Sequence, residues 1–413
     1  MAKQSLDEGR TEFLFLEIKR LSQESKPIEL LIGAKPENYR QLAERMAKVG
    51  KVTRIYNNIP YFSIECSPVD ADIMARRFHS HDRSSGLERE LGSDLDMIVA
   101  IDVASTYKII PAGRQSSNLV YKTDQLWNLA NIGAYAAQKM SRGSGVKIGI
   151  IDTGIEYTHQ ELKGVVAKEL GHNFVDGTSD AMDDNGHGTH VSGITAGATV
   201  GVSIDSRLIP LKALDHNGSG PETNVISGID WAIDYSLDVV NLSLGARYAS
   251  KAFEAICNVG YSKGLTIVAA AGNEEYGPSY PAAFGKPVIA VAAVDRNNDH
   301  AWFSNVYGTN DISAPGVAIV SSYLNNTYEA LDGTSMATPH VTGVIGLAIA
   351  AAKNYSGSIE EAMGETAKHL PNSLPYEDQW VFGSGLVQAD SLVSKVMQNQ
   401  GIRNMIMNKM GRR

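Results

Sequence analysis

The sequence predicts an α/β protein with a doubly wound, mostly parallel sheet and helices on both faces, preceded by a small α+β unit. Three observations carry this. First, VKIGIID (146–152), SRLIPLKAL (206–214), LDVVNLSL (237–244), GLTIVAAAG (264–272) and PVIAVAAVD (287–295) are apolar runs bounded by Gly, Asp or Asn. Continuous runs of this kind suit strands buried on both faces of a parallel sheet. Second, helical patterns such as TNVISGIDWAIDYS (223–236) and KAFEAICNVGYSKG (251–264) lie between them, so strand and crossover alternate. Third, residues 28–103 read as β-α-β-β-α-β, a ferredoxin-like order.

Taken in order, residues 1–25 are polar and charged and are expected to be flexible. IELLIGAK (28–35) reads as a strand and PENYRQLAERMAKVG (36–50) as a helix. KVTRIYN and YFSIECS form a strand pair around Asn57–Pro60, PVDADIMARRF is a second helix, and DMIVAIDV (96–103) a last strand. The first unit therefore occupies 26–107. HSHDRSSGLERELGS (79–93) is a polar loop inside it, and a polar link, 108–125, follows. The α/β domain spans 126–397, and a basic, Met-rich tail, 398–413, ends the chain.

Composition excludes several classes. The 413 residues carry 37 Lys and Arg against 46 Asp and Glu, a net charge of −9. That balance argues against a general nucleic-acid binder. The cysteines, Cys66 and Cys257, stand far apart, so no disulfide framework is expected. The first twenty residues lack the apolar stretch of a signal peptide, so the chain as written reads as cytoplasmic, or as secreted from a longer precursor. The longest apolar run, Val341 to Ala352, is too short to span a membrane. No organic cofactor, nucleic acid or membrane partner is expected, and the chain reads as a monomer.

In a doubly wound sheet, ligands sit at the carboxyl ends of the strands. Those ends carry Asp152, Ser243-Leu244-Gly245 and Gly272-Asn273. GTSMATPH (333–340) opens a small, apolar helix. A Ser hydroxyl at a helix N-terminus can attack a carbonyl while backbone N–H groups face the developing oxyanion. Ser335 can equally be an ordinary cap. DDNGHGTHVSG (183–193) supplies His187 as a base, and Asp152 at the end of its strand could orient it. His187 and His190 could instead be a metal pair, with His172 the one further histidine nearby. DTG (152–154) occurs once, whereas an aspartic protease of two lobes needs two such carboxylates. Asn273 could donate its amide to an oxyanion or simply sit in a turn. The G-x-S-x-G elbow of α/β-hydrolases is absent, since position 337 is Ala.

Together, IIDTGIEYTHQEL, DDNGHGTHVSG, DVVNLSLG, AAAGNE and GTSMATPHVTG resemble the motifs of the subtilisin-like serine proteases, or subtilases, over about residues 122–395. The order Asp, His, Ser is that of subtilisin itself. The resemblance implies a serine endopeptidase in which Asp152 orients the imidazole, His187 is the base and Ser335 the nucleophile. Asn273 and the Ser335 N–H would form the oxyanion hole. It further implies that Gly218, Ser219 and Gly220, with Ser243, Leu244 and Gly245, clamp an extended protein or peptide substrate. Leu214 and Leu244 would line apolar subsites. A pocket for the residue before the scissile bond would run between 243–246 and 271–274, including Gly272, with Glu274 and Glu275 at its rim. A cis bond is expected at Tyr280–Pro281. The alternative is a binding or chaperone protein of the same fold that cleaves only itself or nothing.

The N-terminal unit resembles a subtilase propeptide, an inhibitor and intramolecular chaperone, so the chain is expected to be a self-processing zymogen. Tyr107–Lys108 is the expected first bond, with Tyr121–Lys122 as the alternative. HNFVDGTSDAMDD (172–184) resembles a calcium loop, with Asn173, Asp176, Thr178 and Asp180 as ligands and Asp183 and Asp184 beyond. A second site of the family is expected to be missing or altered, because Glu161 replaces an Asp and the segment after HGTHVSG is short.

Overall fold

The computed structural model describes residues 14–24, 26–80, 97–109, 113–114, 126–352 and 357–410. Two compact units divide the chain. The smaller contains residues 1–106 with 221–234 and 248–259; the larger contains 107–220, 235–247 and 260–413. The expected boundary, 26–107 against 126–397, therefore differs from the observed one by two internal segments. Most of the polar loop expected at 79–93, and the Tyr121–Lys122 bond, lie outside the described residues.

The smaller unit starts with a helix, α1, at residues 14–23. Leu14 and Ile18 are fully buried in its core, with Leu21 packed beside them. The expectation of a flexible chain through residue 25 fails here. FLFLEIKRL hides an i, i+4, i+7 apolar stripe among its charges. Then follow β1 (Ile28–Ala34), α2 (Tyr39–Met46), β2 (Lys51–Ile55), β3 (Tyr61–Cys66), α3 (Pro68–Ser80) and β4 (Ile98–Val103). The sheet is antiparallel in the order β2-β3-β1-β4, with Ile28 opposite Cys66 and Leu30 opposite Val103. Leu30, Ile32, Phe62 and Ile64 meet Leu42, Met46 and Met74 in one core.

Hydrogen bonds tie two later helices to this unit, Glu222–Asp234 and, as far as residue 259, Lys251–Ser262. Asp230 accepts from the N–H groups of Asn57 and Asn58, both at 2.9 Å. Glu222 accepts from the N–H of Ser105 at 3.3 Å and of Ser250 at 2.8 Å, and Asp102 from that of Lys251 at 3.0 Å. Acceptor carboxylates satisfy the otherwise orphaned N–H groups of helix and loop ends.

In the larger unit the chain forms β5 (Thr106–Ile109, from Tyr107 onward), β6 (Gly113–Arg114), α4 (Trp127–Asn131), α5 (Ala134–Ala137), β7 (Lys147–Asp152), β8 (His172–Asn173), α6 (His187–Ala196), β9 (Arg207–Lys212) and β10 (Ser219–Pro221). The two helices already given are α7 and α8. Between and after them come β11 (Val239–Leu242), β12 (Leu244–Gly245), β13 (Thr266–Ala270), β14 (Ile289–Val294), β15 (Asn310–Pro315), β16 (Ile319–Tyr323), β17 (Thr327–Asp332) and α9 (Thr334–Ala351). Then come α10 (Ile359–Thr366), α11 (Asp378–Phe382) and α12 (Ala389–Met410); α12 continues as helix through most of the expected tail.

The main sheet is parallel, in the order β15-β14-β13-β11-β7-β9-β8. The chain fills it on both sides of β7, so the strand order reverses at β7 and opens a crevice at the strand ends. Helix α9 packs against α6 and against β11, β13 and β14. Residues 334–348 are buried all round, as the composition of this helix requires. Pro339 falls inside α9 and cannot donate to the Ser335 carbonyl one turn back. That carbonyl instead accepts from Ser243 Oγ at 2.9 Å. The Tyr280–Pro281 bond is cis.

Candidate active site

Asp152 ends β7 and is fully buried, because the next residues turn away from the sheet. Its Oδ1 accepts from the Thr153 N–H at 2.7 Å. His187 opens α6, and its Nδ1 lies 2.8 Å from Asp152 Oδ1 and 3.0 Å from Oδ2. A carboxylate holding Nδ1–H leaves the lone pair on Nε2. His187 Nε2 is buried and has no hydrogen-bond partner. The approach of α6 to β7 depends on Gly188. A Cβ at that position would lie 2.1 Å from the Gly154 carbonyl and 3.2 Å from Asp152 Oδ1.

Ser335 is the second residue of α9 and is fully buried. Its Oγ donates to the Ser243 carbonyl at 3.0 Å. Asn273 follows β13. Its Oδ1 accepts from the N–H and hydroxyl of Thr334 at 3.0 and 2.8 Å, which turns the amide NH₂ away from Thr334. Sequence reasoning missed Thr334; a hydroxyl next to the candidate nucleophile is its one sequence signal. Gly272 has a φ of 110° and donates to Thr334 Oγ1 at 3.3 Å. Asp152, His187, Asn273 and Ser335 thus all lie at the carboxyl end of the parallel sheet or on the helices that start there.

The two expected edges flank an extended strand. Sheet order β10-β5-β12 places β5 between 219–221 and 244–245. Ile109 donates to the Gly218 carbonyl at 2.9 Å and stands opposite Leu244, while Lys108 stands opposite Gly245. Tyr107 is fully buried, as are Leu214 and Leu244. Beyond three undescribed residues, Gly113 and Arg114 pair with Asp332 and Leu331, just before Gly333-Thr334-Ser335. The chain's own residues therefore pair with two segments near Ser335 in the fold: 244–245, next to the Ser243 that accepts from Ser335 Oγ, and 331–332, which precede it in sequence. The expected first bond, Tyr107–Lys108, lies in β5. Tyr107–Lys108 lies level with Gly245, whereas Ser335 bonds to Ser243, further along the antiparallel pairing.

Other candidates separate from the site. His190 Nε2 donates to the carbonyls of Ile319 and Glu329, both at 3.1 Å, which takes up that ring nitrogen. Burial lowers its pKa to about 3. Glu274 Oε2 accepts from Asn305 Nδ2 at 2.9 Å and from the Asn273 N–H at 3.1 Å. Glu161 accepts from the Thr199 N–H and hydroxyl at 2.7 and 2.6 Å and from the Tyr328 hydroxyl at 2.7 Å. Protein donors thus occupy this carboxylate.

The expected calcium ligands share one loop, and their oxygens close its turns. Asn173 Oδ1 accepts from Val175 N–H, Asp176 Oδ1 from Thr178 N–H and Oγ1, and Asp180 Oδ1 from the Tyr157 hydroxyl and Met182 N–H. Among the described residues no three His, Cys, Asp or Glu side chains converge on a metal position.

Residues 143–386 match the Subtilase family (Peptidase_S8). The chain is 40% identical to Subtilisin DY of Bacillus licheniformis over 261 residues, 60% of this chain and 91% of that protein. It is 38% identical to Thermitase of Thermoactinomyces vulgaris over 263 residues, 62% of this chain and 93% of that protein. The alignment with M-protease of Shouchella clausii is longer: 35% identity over 346 residues, 81% of this chain and 80% of that protein. The parallel sheet, the Asp152–His187 pair and these matches agree: the chain belongs to the subtilase family and is a serine endopeptidase.

Proposed function

We propose that Ser335, His187 and Asp152 are its catalytic triad, that Asn273 completes the oxyanion hole, and that the chain is made as a zymogen. The observation that carries the triad is His187. Asp152 holds its Nδ1 at 2.8 and 3.0 Å, and its buried Nε2 has no partner. Nε2 takes the proton from Ser335 Oγ as Oγ attacks the scissile carbonyl. The resulting oxyanion meets Asn273 Nδ2 and the Ser335 N–H. His187 then gives its proton to the departing amine, and a water, activated in the same way, releases the acyl group. Substrate adds a strand between 218–220 and 243–245, where main-chain pairing recognises any extended segment and side-chain pockets select among them.

Residues 107–109 in that cleft and 113–114 beside 331–332 support the zymogen reading. The long alignment with M-protease also supports it, since 346 residues exceed the 126–397 domain. The tethered segment reaches Ser335 at high effective concentration. The register favours a bond C-terminal to Ile109. One experiment tests both halves. Wild type should digest casein and yield an N-terminal fragment of mass beyond residue 109. Ser335→Ala should stay full length and show only residual turnover. Asn273→Ala should cost about a hundred- to a thousand-fold in kcat, a magnitude that comes from subtilisin. Casein digestion by Ser335→Ala at the wild-type rate would refute the triad, and an uncleaved but active wild type would refute the zymogen.

Calcium at 172–184 is a separate proposal, supported by Asp176 and Asp180 in one oxygen-rich loop. A cation there would share oxygens that already close the loop's turns. If it binds the native state alone, EGTA should lower Tm, and Asp176→Ala should remove the EGTA effect. An unchanged Tm in both arms rejects the site.

A further inference from the structure

We infer that Asp183 is a positioning residue for catalysis: its buried carboxylate ties the strand end that carries Asp152 to the helix start that carries His187, through Thr153. The inference rests on the triad proposed above. Asp183 is 6% exposed, and five donors converge on it. Oδ1 accepts from Thr153 Oγ1 at 2.8 Å, Asn185 N–H at 2.9 Å and Gly186 N–H at 3.0 Å. Oδ2 accepts from Thr189 N–H at 2.9 Å and Thr189 Oγ1 at 2.6 Å.

These bonds join the two halves of the acid–base pair. Thr153 follows Asp152 and donates its N–H to Asp152 Oδ1 at 2.7 Å. Its Oγ1 also accepts from the Gly188 N–H, next to His187, at 2.9 Å. On the other side, Asn185, Gly186 and Thr189 bracket His187 in the first turn of α6. One carboxylate therefore fixes both ends of the Asp152–His187 hydrogen bond. Lys212 adds a second grip. It is 3% exposed, and its Nζ donates to the Thr153 carbonyl and to Asp184 Oδ1, both at 2.6 Å. Thr153 is thus held by its hydroxyl from Asp183 and by its carbonyl from the Asp184-paired lysine. A small misplacement of a catalytic pair is costly in rate, so the grip belongs to the chemistry as well as to the fold.

The test compares Thr153→Val, which removes one hydroxyl at nearly constant volume, Thr153→Ser, which keeps it, and Asp183→Asn. For each, kcat and KM on a chromogenic peptide are measured on protein of verified fold, together with the NMR signal of the His187 Nδ1 proton. Thr153→Val and Asp183→Asn should lower kcat by about ten- to a hundred-fold with KM within about twofold, and should shift or broaden the Nδ1 signal. Thr153→Ser should recover most of kcat. If Asp183→Asn does not fold, the Thr153 pair decides alone. Wild-type kcat in Thr153→Val, an unshifted Nδ1 signal, or Thr153→Ser as slow as Thr153→Val would each overturn the inference. A wild type whose turnover survives Ser335→Ala would instead overturn the triad, leaving the two failures distinguishable.

Discussion

The two sheets of this protein are built on opposite plans. In the smaller unit the pairing is antiparallel and partly local: Lys51 stands opposite Glu65 across one hairpin, and Ile28 opposite Cys66. In the larger unit every pairing in the main sheet is parallel. Its central contact sets Ile148 of β7 beside Val239 of β11, with β8, α6, β9, β10 and α7 in between. An antiparallel pair needs only a turn, whereas a parallel pair needs a crossover to be ordered before it gains anything. The smaller sheet can form early; the larger one must close long loops first. The smaller unit also includes α7, the crossover that leads into β11. Its Asp230 accepts the Asn57 and Asn58 N–H groups, so a fast-forming unit can fix one slow crossover in helical form.

The largest expected effect breaks the comparison by removing the early-forming part. A Ser335→Ala chain beginning at residue 107 should refold slower by orders of magnitude than the full Ser335→Ala chain, with residues 1–106 added in trans restoring part of the rate. Stopped-flow refolding followed by tryptophan fluorescence measures it. Equal rates would mean that the parallel sheet nucleates without the smaller unit.

What the sequence made legible follows the same division. The parallel strands were readable because burial on both faces leaves unbroken apolar runs such as VKIGIID. The candidate triad was readable because strand ends in a doubly wound sheet converge, so the strand-end positions of Asp152 and Asn273 already bring them together. Thr334 and Asp183 were harder. An oxygen-bearing side chain in a turn looks the same whether it faces a cation or a row of N–H groups, and only geometry distinguishes them. Asp183 was read as flanking a calcium loop; it accepts from five donors around the Asp152–His187 pair. Helix α1 was missed because Leu14, Ile18 and Leu21 are diluted by charges that face outward. Which residues of the link lie opposite 244–245 was not readable, because register is a relation between two strands, and a shift of a few residues leaves no mark in the composition of either.

A smaller effect sharpens the comparison at the point where the N-terminal segment of the smaller unit meets α7 and α8. Glu222 is fully buried there, accepting from the Ser105 and Ser250 N–H groups and facing the charge of Asp102. Burial raises its pKa from the ordinary 4.5 to about 8, outweighing the two N–H bonds that favour the anion. The folded unit therefore holds a proton that the unfolded chain has released. Its stability contribution is complete below about pH 4.5 and is lost as pH rises toward about 8. In a Ser335→Ala background, amide exchange in β1 and β4, corrected for its intrinsic pH dependence, should report weaker protection at pH 8.5 than at pH 5.5. Glu222→Gln cannot ionise and should flatten that difference. It should also lower protection at pH 5.5, because its NH₂ would face one of the two N–H donors. A Glu222→Gln chain that kept the full pH slope would place the titration elsewhere, with Asp230, also raised by burial, the next group to substitute.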